Sequence, residues 1–173
     1  MSPNLFIIGA MKAGTSSLHE YLHQHPEIFM SRMKEPQYFA PHVTRQGLMW
    51  GQGQPHPEPG IDWYLQLFAG AGNAKYVGES SVSYTAIPWV SGCAERIHAF
   101  NPKARLIYLV RDPVERAISH YFHFVADGRE DRPMLTAFRQ TEEYTSRSDY
   151  LRQITPYWNC FGNDAVYVLT LEE

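Results

Sequence analysis

The sequence predicts a three-layer α/β fold with a central parallel sheet flanked by helices. Two observations predict it. Continuous apolar runs at residues 5–8 (LFII) and 104–110 (ARLIYLV) read as buried strands, the second long enough to be covered on both faces as parallel strands are. Each run then feeds directly into a helix start, through glycines and hydroxyls in the first case and through Asp112-Pro113 in the second. With 173 residues, 44% hydrophobic and 14% aromatic, the chain has the size and composition of one domain with a real core, taken as residues 1–173.

The first strand is followed by Gly9 and Gly14, the hydroxyl run Thr15, Ser16 and Ser17, and the helical periodicity of Leu18, Tyr21 and Leu22. A strand, a glycine-containing turn and a helix N-terminus form a phosphate cradle, because free backbone N–H groups and the helix dipole both face the anion. The loop is P-loop-like with one departure. In G-x-x-x-x-G-K-[ST] a lysine follows the second glycine, whereas Thr15 stands there in this chain and Lys12 lies inside the turn, separated from Gly14 by Ala13. An ordinary strand-turn-helix corner capped by Ser or Thr would look the same up to this point.

His25-Pro26 ends the first helix, and residues 28–30 form a short extended piece. Next comes SRMKEPQYFA, residues 31–40, in which Glu35 precedes Pro36 and so avoids helical backbone. With Arg32 and Lys34 before it and Tyr38 and Phe39 after it, Glu35 fits either an oriented general base or a loop salt bridge with one of those cations. Residues 41–60 lack periodicity and read as a long surface loop. Ile61, Tyr64, Leu65 and Phe68 predict a short amphipathic helix ending near Gly70, with Trp63 in packing.

Residues 75–78 read as a second strand, followed by Glu79, Ser80 and Ser81. Polar groups at the C-terminal end of a strand are where open α/β sheets bind ligands, and they also cap turns. A helix over 90–100 stops at Asn101-Pro102. After the strand at 104–110, Arg111 is fixed at the strand end, Asp112 is a natural N-cap, and the helix carries Val114, Ala117, Ile118, Tyr121 and Phe122. Ser119 sits two turns along it. Arg111 and Ser119 can converge on a second anion, with the guanidinium as a fork, unless Arg111 is spent on Asp112 or Glu115. Two anion sites fit a ligand with phosphate groups at both ends better than a nucleoside triphosphate. A helix over 134–144, another opened by Ser148-Asp149 and kinked at Pro156, and a strand at 165–169 complete the chain.

A net charge of −3 and a pI near 6.2 argue against broad nucleic-acid binding. No apolar run is long enough to span a bilayer and the first ten residues lack the pattern of a signal peptide, so a soluble, cytoplasmic protein is expected. Cys93 and Cys160 lie far apart without a C-x-x-C pattern, which suits a reducing compartment. His19, His23 and His25 have no acidic partner at ligand-like spacing and read as surface histidines, leaving no metal site expected.

Six stretches in order, FIIGAMKAGTSSL, KEPQYF, GIDWYLQLF, GESSVSY, ARLIYLVRDPVERAISHYFH and SDYLRQITPYWNCFG, resemble the sulfotransferases that use 3′-phosphoadenosine 5′-phosphosulfate (PAPS). The similarity is greatest to the branch with heparan sulfate and bacterial carbohydrate enzymes. That resemblance implies that Lys12, Ala13, Gly14, Thr15, Ser16 and Ser17 hold the 5′-phosphosulfate and that Arg111 and Ser119 hold the 3′-phosphate. It further implies Glu35 and Lys12 as catalytic groups, and Lys34, Glu79 and Ser80 on the side of a hydroxyl or amine acceptor, with a glycan as one candidate. No metal is implied. Ser80 stands where related enzymes often have lysine, and family members continue past the final strand into a helix and a basic loop over the 3′-phosphate, so the domain is expected to be C-terminally incomplete. A Mg²⁺-dependent P-loop kinase is disfavoured by the displaced lysine; a non-catalytic nucleotide-binding remnant is the other alternative.

Overall fold

Every residue of β1 (Leu5–Gly9) is buried, and the rest of the sheet is laid out around it. The structure, a computed structural model, describes residues 2–40 and 60–171, so the long loop expected at 41–60 falls almost wholly outside the described residues. Strands β2 (Ile28–Met30), β3 (Tyr76–Ser80), β4 (Arg105–Val110) and β5 (Val166–Thr170) join β1 in one sheet of order β2-β3-β1-β4-β5. All four pairings are parallel. The interleaved helices are α1 (Thr15–His23), α2 (Ile61–Gln66), α3 (Cys93–Phe100), α4 (Pro113–Ala126), α5 (Met134–Gln140) and α6 (Tyr150–Phe161).

The strand order explains the layers. From β1 the chain crosses towards one edge, to β2, whereas from β3 and β4 it crosses towards the other. Right-handed crossovers that run in opposite directions place their helices on opposite faces of the sheet, and the loops after β1, β3 and β4 part at a switch point. Ligands bind at such a crevice, outside the carboxyl ends of the strands. The main core joins the sheet to the helices through Phe6, Ile7, Ile8, Phe39, Tyr64, Phe68, Ile97 and Leu106. A smaller cluster, with Met11, Val82, Ala117, Tyr121, Phe124, Ala137 and Tyr144, fastens α4 and α5 to the turns that follow β1 and β3.

Most expected elements are present, with four shifts. β3 runs on through Glu79 and Ser80, which the sequence placed beyond it. α3 starts at Cys93, after Gly92 at φ +73°. α5 stops at Gln140 because Thr141 turns extended (φ −146°) and Tyr144 folds back into the smaller cluster, where its hydroxyl donates to Glu130 at 2.7 Å. α2 stops at Gln66, short of the expected end near Gly70, whereas α6 retains Pro156 within its span as expected. The Asp112-Pro113 start of α4 is as expected: Asp112 Oδ1 accepts from the Glu115 N–H at 2.8 Å with proline in the first turn.

Candidate active site

Among the described residues, the non-glycine positions with positive φ are Lys12 (+68°), Glu35 (+58°) and Gln37 (+55°). A left-handed backbone costs an ordinary residue about 1–2 kcal/mol, and strain of this kind gathers where a site demands it. Two of these are the residues singled out as catalytic, and the third lies two positions from Glu35.

Glycines shape the end of β1 and the turn that follows it. A Cβ on Gly9, at φ +150°, would lie 2.0 Å from Thr85 Oγ1, whose hydroxyl donates to the Ile8 carbonyl at 2.8 Å. A Cβ on Gly14, at φ +88°, would meet Leu171 Cδ1 at 2.7 Å. Gly14 is the N-cap of α1, which has no side-chain cap and no acidic residue in its first turn. In this respect α1 differs from α4 and α6, which are capped by Asp112 and Asp149. The opening N–H groups of α1 and their dipole therefore face outward beside half-buried Lys12, with exposed Ser16 and Ser17 on the first turn and Ala13 and Thr15 buried behind them.

At the end of the neighbouring strand, Arg111 Nη1 approaches the Lys12 carbonyl at 3.4 Å. Tyr150 Oη donates to the Arg111 carbonyl at 2.9 Å and so fixes its main chain. The alternative pairing with Glu115 is present only at 4.0 Å, and Arg111 Nε is buried with no hydrogen-bond partner among the described residues. A buried donor of this kind suits an anion absent from the protein itself. Ser119 is half-buried on α4, and His123 follows one turn later on the same stripe. Burial holds the His123 imidazole below its ordinary pKa, and the Lys12 ammonium lowers it further.

Glu35 is held at the end of β3. Its N–H donates to the Ser80 carbonyl at 2.8 Å, its Oε2 accepts from the Val82 N–H at 2.8 Å, and its Oε1 accepts from Lys34 Nζ at 2.7 Å. Both readings of Glu35 are thus compatible with one geometry: the Lys34 salt bridge exists, and the carboxylate remains about a quarter exposed (26%) in a fixed orientation. The segment is clamped downstream by Phe39, packed edge-on to Phe6 and Tyr64, and by Tyr38, stacked on Tyr64 at 4.3 Å.

Glu79 and Ser80, expected to meet the acceptor, stand behind the wall of the site. Both have 0% exposure because β3 continues through them, and their side chains are engaged internally, Ser80 Oγ with His19 Nδ1 at 2.7 Å. His19, expected on the surface, is buried there, and its other nitrogen lies 3.2 Å from the Ser31 carbonyl. Burial lowers its pKa, with the bond to Ser31 opposing.

Sequence reasoning passed over Arg116 and Tyr150. Fully buried Arg116 donates to Ser148 Oγ at 2.6 Å, to the Met11 carbonyl at 3.4 Å and to the Tyr144 carbonyl, tying the first turn to α4 and to the approach of α6. Burial lowers its pKa to about 10. The available signal was an arginine on the apolar stripe of α4, in line with Ala117, His120 and Phe124.

The description "Sulfotransferase family" belongs to the family model that matches residues 3–173. The chain is 36% identical over 125 residues to the membrane-associated sulfotransferase kil1 of Dictyostelium discoideum, covering 70% of this chain and 23% of that protein. It is 31% identical over 137 residues to human heparan sulfate glucosamine 3-O-sulfotransferase 6, covering 79% and 34%. The chain thus spans about a quarter to a third of the length of these relatives. A sulfotransferase from Alicyclobacillus acidocaldarius superposes with a TM-score of 0.84 at 32% identity, over 99% of this chain and 74% of that one. By motif order, fold and sequence, the chain belongs to the sulfotransferase family.

Proposed function

We propose that this domain transfers a sulfuryl group from PAPS to an acceptor hydroxyl or amine. The observation that carries the reading is the meeting of Lys12 and Arg111 at the ends of adjacent parallel strands, which sets two anion-binding groups side by side. In this reading the turn 12–17 holds the 5′-phosphosulfate on backbone N–H groups and hydroxyls, while Arg111 and Ser119 hold the 3′-phosphate. PAPS supplies an activated sulfuryl group whose bond to the bridging oxygen breaks as the acceptor oxygen or nitrogen bonds to sulfur. Lys12 stabilises the charge that collects on that bridging oxygen. Glu35 accepts the acceptor's proton, its carboxylate aimed by Val82 and Lys34. A carbohydrate acceptor fits the name of the heparan sulfate relative, and in this reading Lys34, paired with Glu35, contacts that acceptor.

The test is transfer of radiolabelled sulfate from PAPS to a panel of hydroxylated acceptors that includes glucosamine-containing oligosaccharides, alongside calorimetry with 3′-phosphoadenosine 5′-phosphate. Labelled product and tight binding of that nucleotide are expected. Mg²⁺-dependent preference for ATP would replace this reading with the kinase, and binding without turnover would replace it with the nucleotide-binding remnant.

A further inference from the structure

We infer that Glu79 is a positioning residue for Glu35, holding from beneath, through Ser81 and Tyr84, the strained turn that presents the Glu35 carboxylate. This rests on Glu35 acting as the base in the proposed reaction. Glu79 has no exposed surface and accepts from three hydroxyls: Tyr84 Oη at 2.5 Å, Ser81 Oγ at 2.8 Å and Tyr64 Oη at 3.3 Å. Two of those hydroxyls face the turn with their lone pairs. Ser81 Oγ accepts from the Gln37 N–H at 3.0 Å, and Tyr84 Oη accepts from the Phe39 N–H at 3.3 Å.

A hydroxyl has one proton, and this fixes the direction of the whole relay. While Glu79 is ionised it takes the proton of each hydroxyl, which leaves their lone pairs for the backbone of residues 37 and 39. That backbone is the part of the turn with positive φ at Glu35 and Gln37, and residues 31–40 themselves form no helix or strand. Arg96 of α3 holds the far end through the Phe39 carbonyl at 2.7 Å. A neutral group at position 79 would break one link: an amide or a protonated carboxyl presents a donor to a hydroxyl that already points its own proton inward, stranding one buried O–H.

The ionisable groups that face Glu79 are Tyr64 of α2, Tyr84 of the turn after β3, Glu35, and Cys93 of α3. Burial pushes the Glu79 carboxyl up to about 7, opposed by its hydroxyl donors and helped by the Glu35 charge. Burial raises both tyrosines well above their ordinary range and Cys93 to about 11. Of Glu79, the two tyrosines and Cys93, Glu79 is therefore the one whose charge changes between pH 5 and 9.

The experiment compares wild type, Glu79→Gln, Ser81→Ala, Glu35→Gln and the Glu35→Gln/Glu79→Gln double variant in kcat, donor KM, pH profile and calorimetric affinity for 3′-phosphoadenosine 5′-phosphate. Misplacing a reacting group by about 1 Å costs on the order of a hundredfold. Glu79→Gln should accordingly lower kcat by about tenfold to a hundredfold with nucleotide affinity within about twofold, and should flatten the wild-type loss of kcat below pH 7. The double variant should be no slower than Glu35→Gln. Ser81→Ala keeps Glu79 and tests one link if Glu79→Gln does not fold; it too should lower kcat without weakening the nucleotide. Wild-type kcat and pH profile in either folded variant, or losses that multiply in the double variant, overturn the inference while leaving the sulfotransferase reading intact. That reading falls separately if the wild type neither binds the nucleotide nor turns over.

Discussion

Arg111 Nη1 lies 3.4 Å from the main-chain carbonyl of Lys12, a contact between residues 99 positions apart in the chain. It follows from the sheet: β1 and β4 are parallel neighbours, so their C-terminal ends release two turns at one place. At this length the contact is weak, and the Glu115 carboxylate at 4.0 Å is weaker still. Neither competes with a phosphate for the guanidinium. The Arg111 guanidinium and the turn carrying Lys12 are therefore adjacent, as the proposed binding of one nucleotide at both phosphate groups requires.

The roles of the two cations separate in kinetics. A charge-assisted bond is worth about 1.5–3 kcal/mol, so Arg111→Ala should weaken 3′-phosphoadenosine 5′-phosphate by about tenfold to a hundredfold in calorimetry, with a smaller change in kcat. Lys12→Ala should do the reverse, lowering kcat by about two or more orders of magnitude with a modest change in affinity. Intact transfer of labelled sulfate by Lys12→Ala would remove the charge-stabilising role given to that residue.

Gly14→Ala tests whether the cradle needs its glycine. The position is at φ +88° and an added Cβ would press on Leu171 Cδ1 at 2.7 Å. The conformational penalty alone is about 1–2 kcal/mol. A lower urea midpoint together with lost nucleotide affinity is the expected result. A variant as stable as wild type would mean that the turn can relax away from Leu171.

Asp112→Ala should cost about 1 kcal/mol, since it removes the acceptor for the Glu115 N–H at the start of α4. Because Arg111 precedes that cap, nucleotide affinity should fall in the same variant. Urea denaturation and calorimetry on one preparation measure both, and an unchanged affinity would show that Tyr150 alone suffices to hold Arg111 in place.

What could be read from the chain was what neighbouring residues decide. The Asp112 cap, the glycine-shaped turn and the buried runs of β1 and β4 each depend on residues within a few positions, so pattern alone located them. The positive φ of Glu35 depends on Ser80 and Val82, more than forty positions away, and local rules for a residue before proline point to extended backbone instead. Burial of Glu79 was hidden for the same reason. A carboxylate at a strand end reads as a ligand group until Tyr64 and Tyr84 are seen closing over it. His19 looked like a solvated histidine because its partners, Ser80 and Ser31, belong to β3 and to the turn after β2.

The same buried carboxyl leaves a mark on stability that needs no substrate. With its folded pKa raised to about 7 from an ordinary 4.5, Glu79 binds its proton more tightly in the native state. Its contribution is therefore full below about pH 4.5 and is lost as pH rises through 7, a change of roughly 3 kcal/mol. His120 acts in the opposite sense: burial, then the charges of Arg147 and Arg116, hold its pKa far below 6.5, so its contribution is full above pH 6.5 and is lost as pH falls. Between pH 5 and 6.5 the slope from Glu79 opposes those from His120, His19 and His123, all three lowered by burial, and so offsets part of the rise that these slopes produce. Glu79→Gln removes that offset. Its unfolding free energy, from urea titrations at several pH values, should rise more steeply with pH than that of wild type throughout this window. Parallel curves for the two proteins would mean that position 79 holds its proton equally in both states, and that burial does not tax the charge of Glu79.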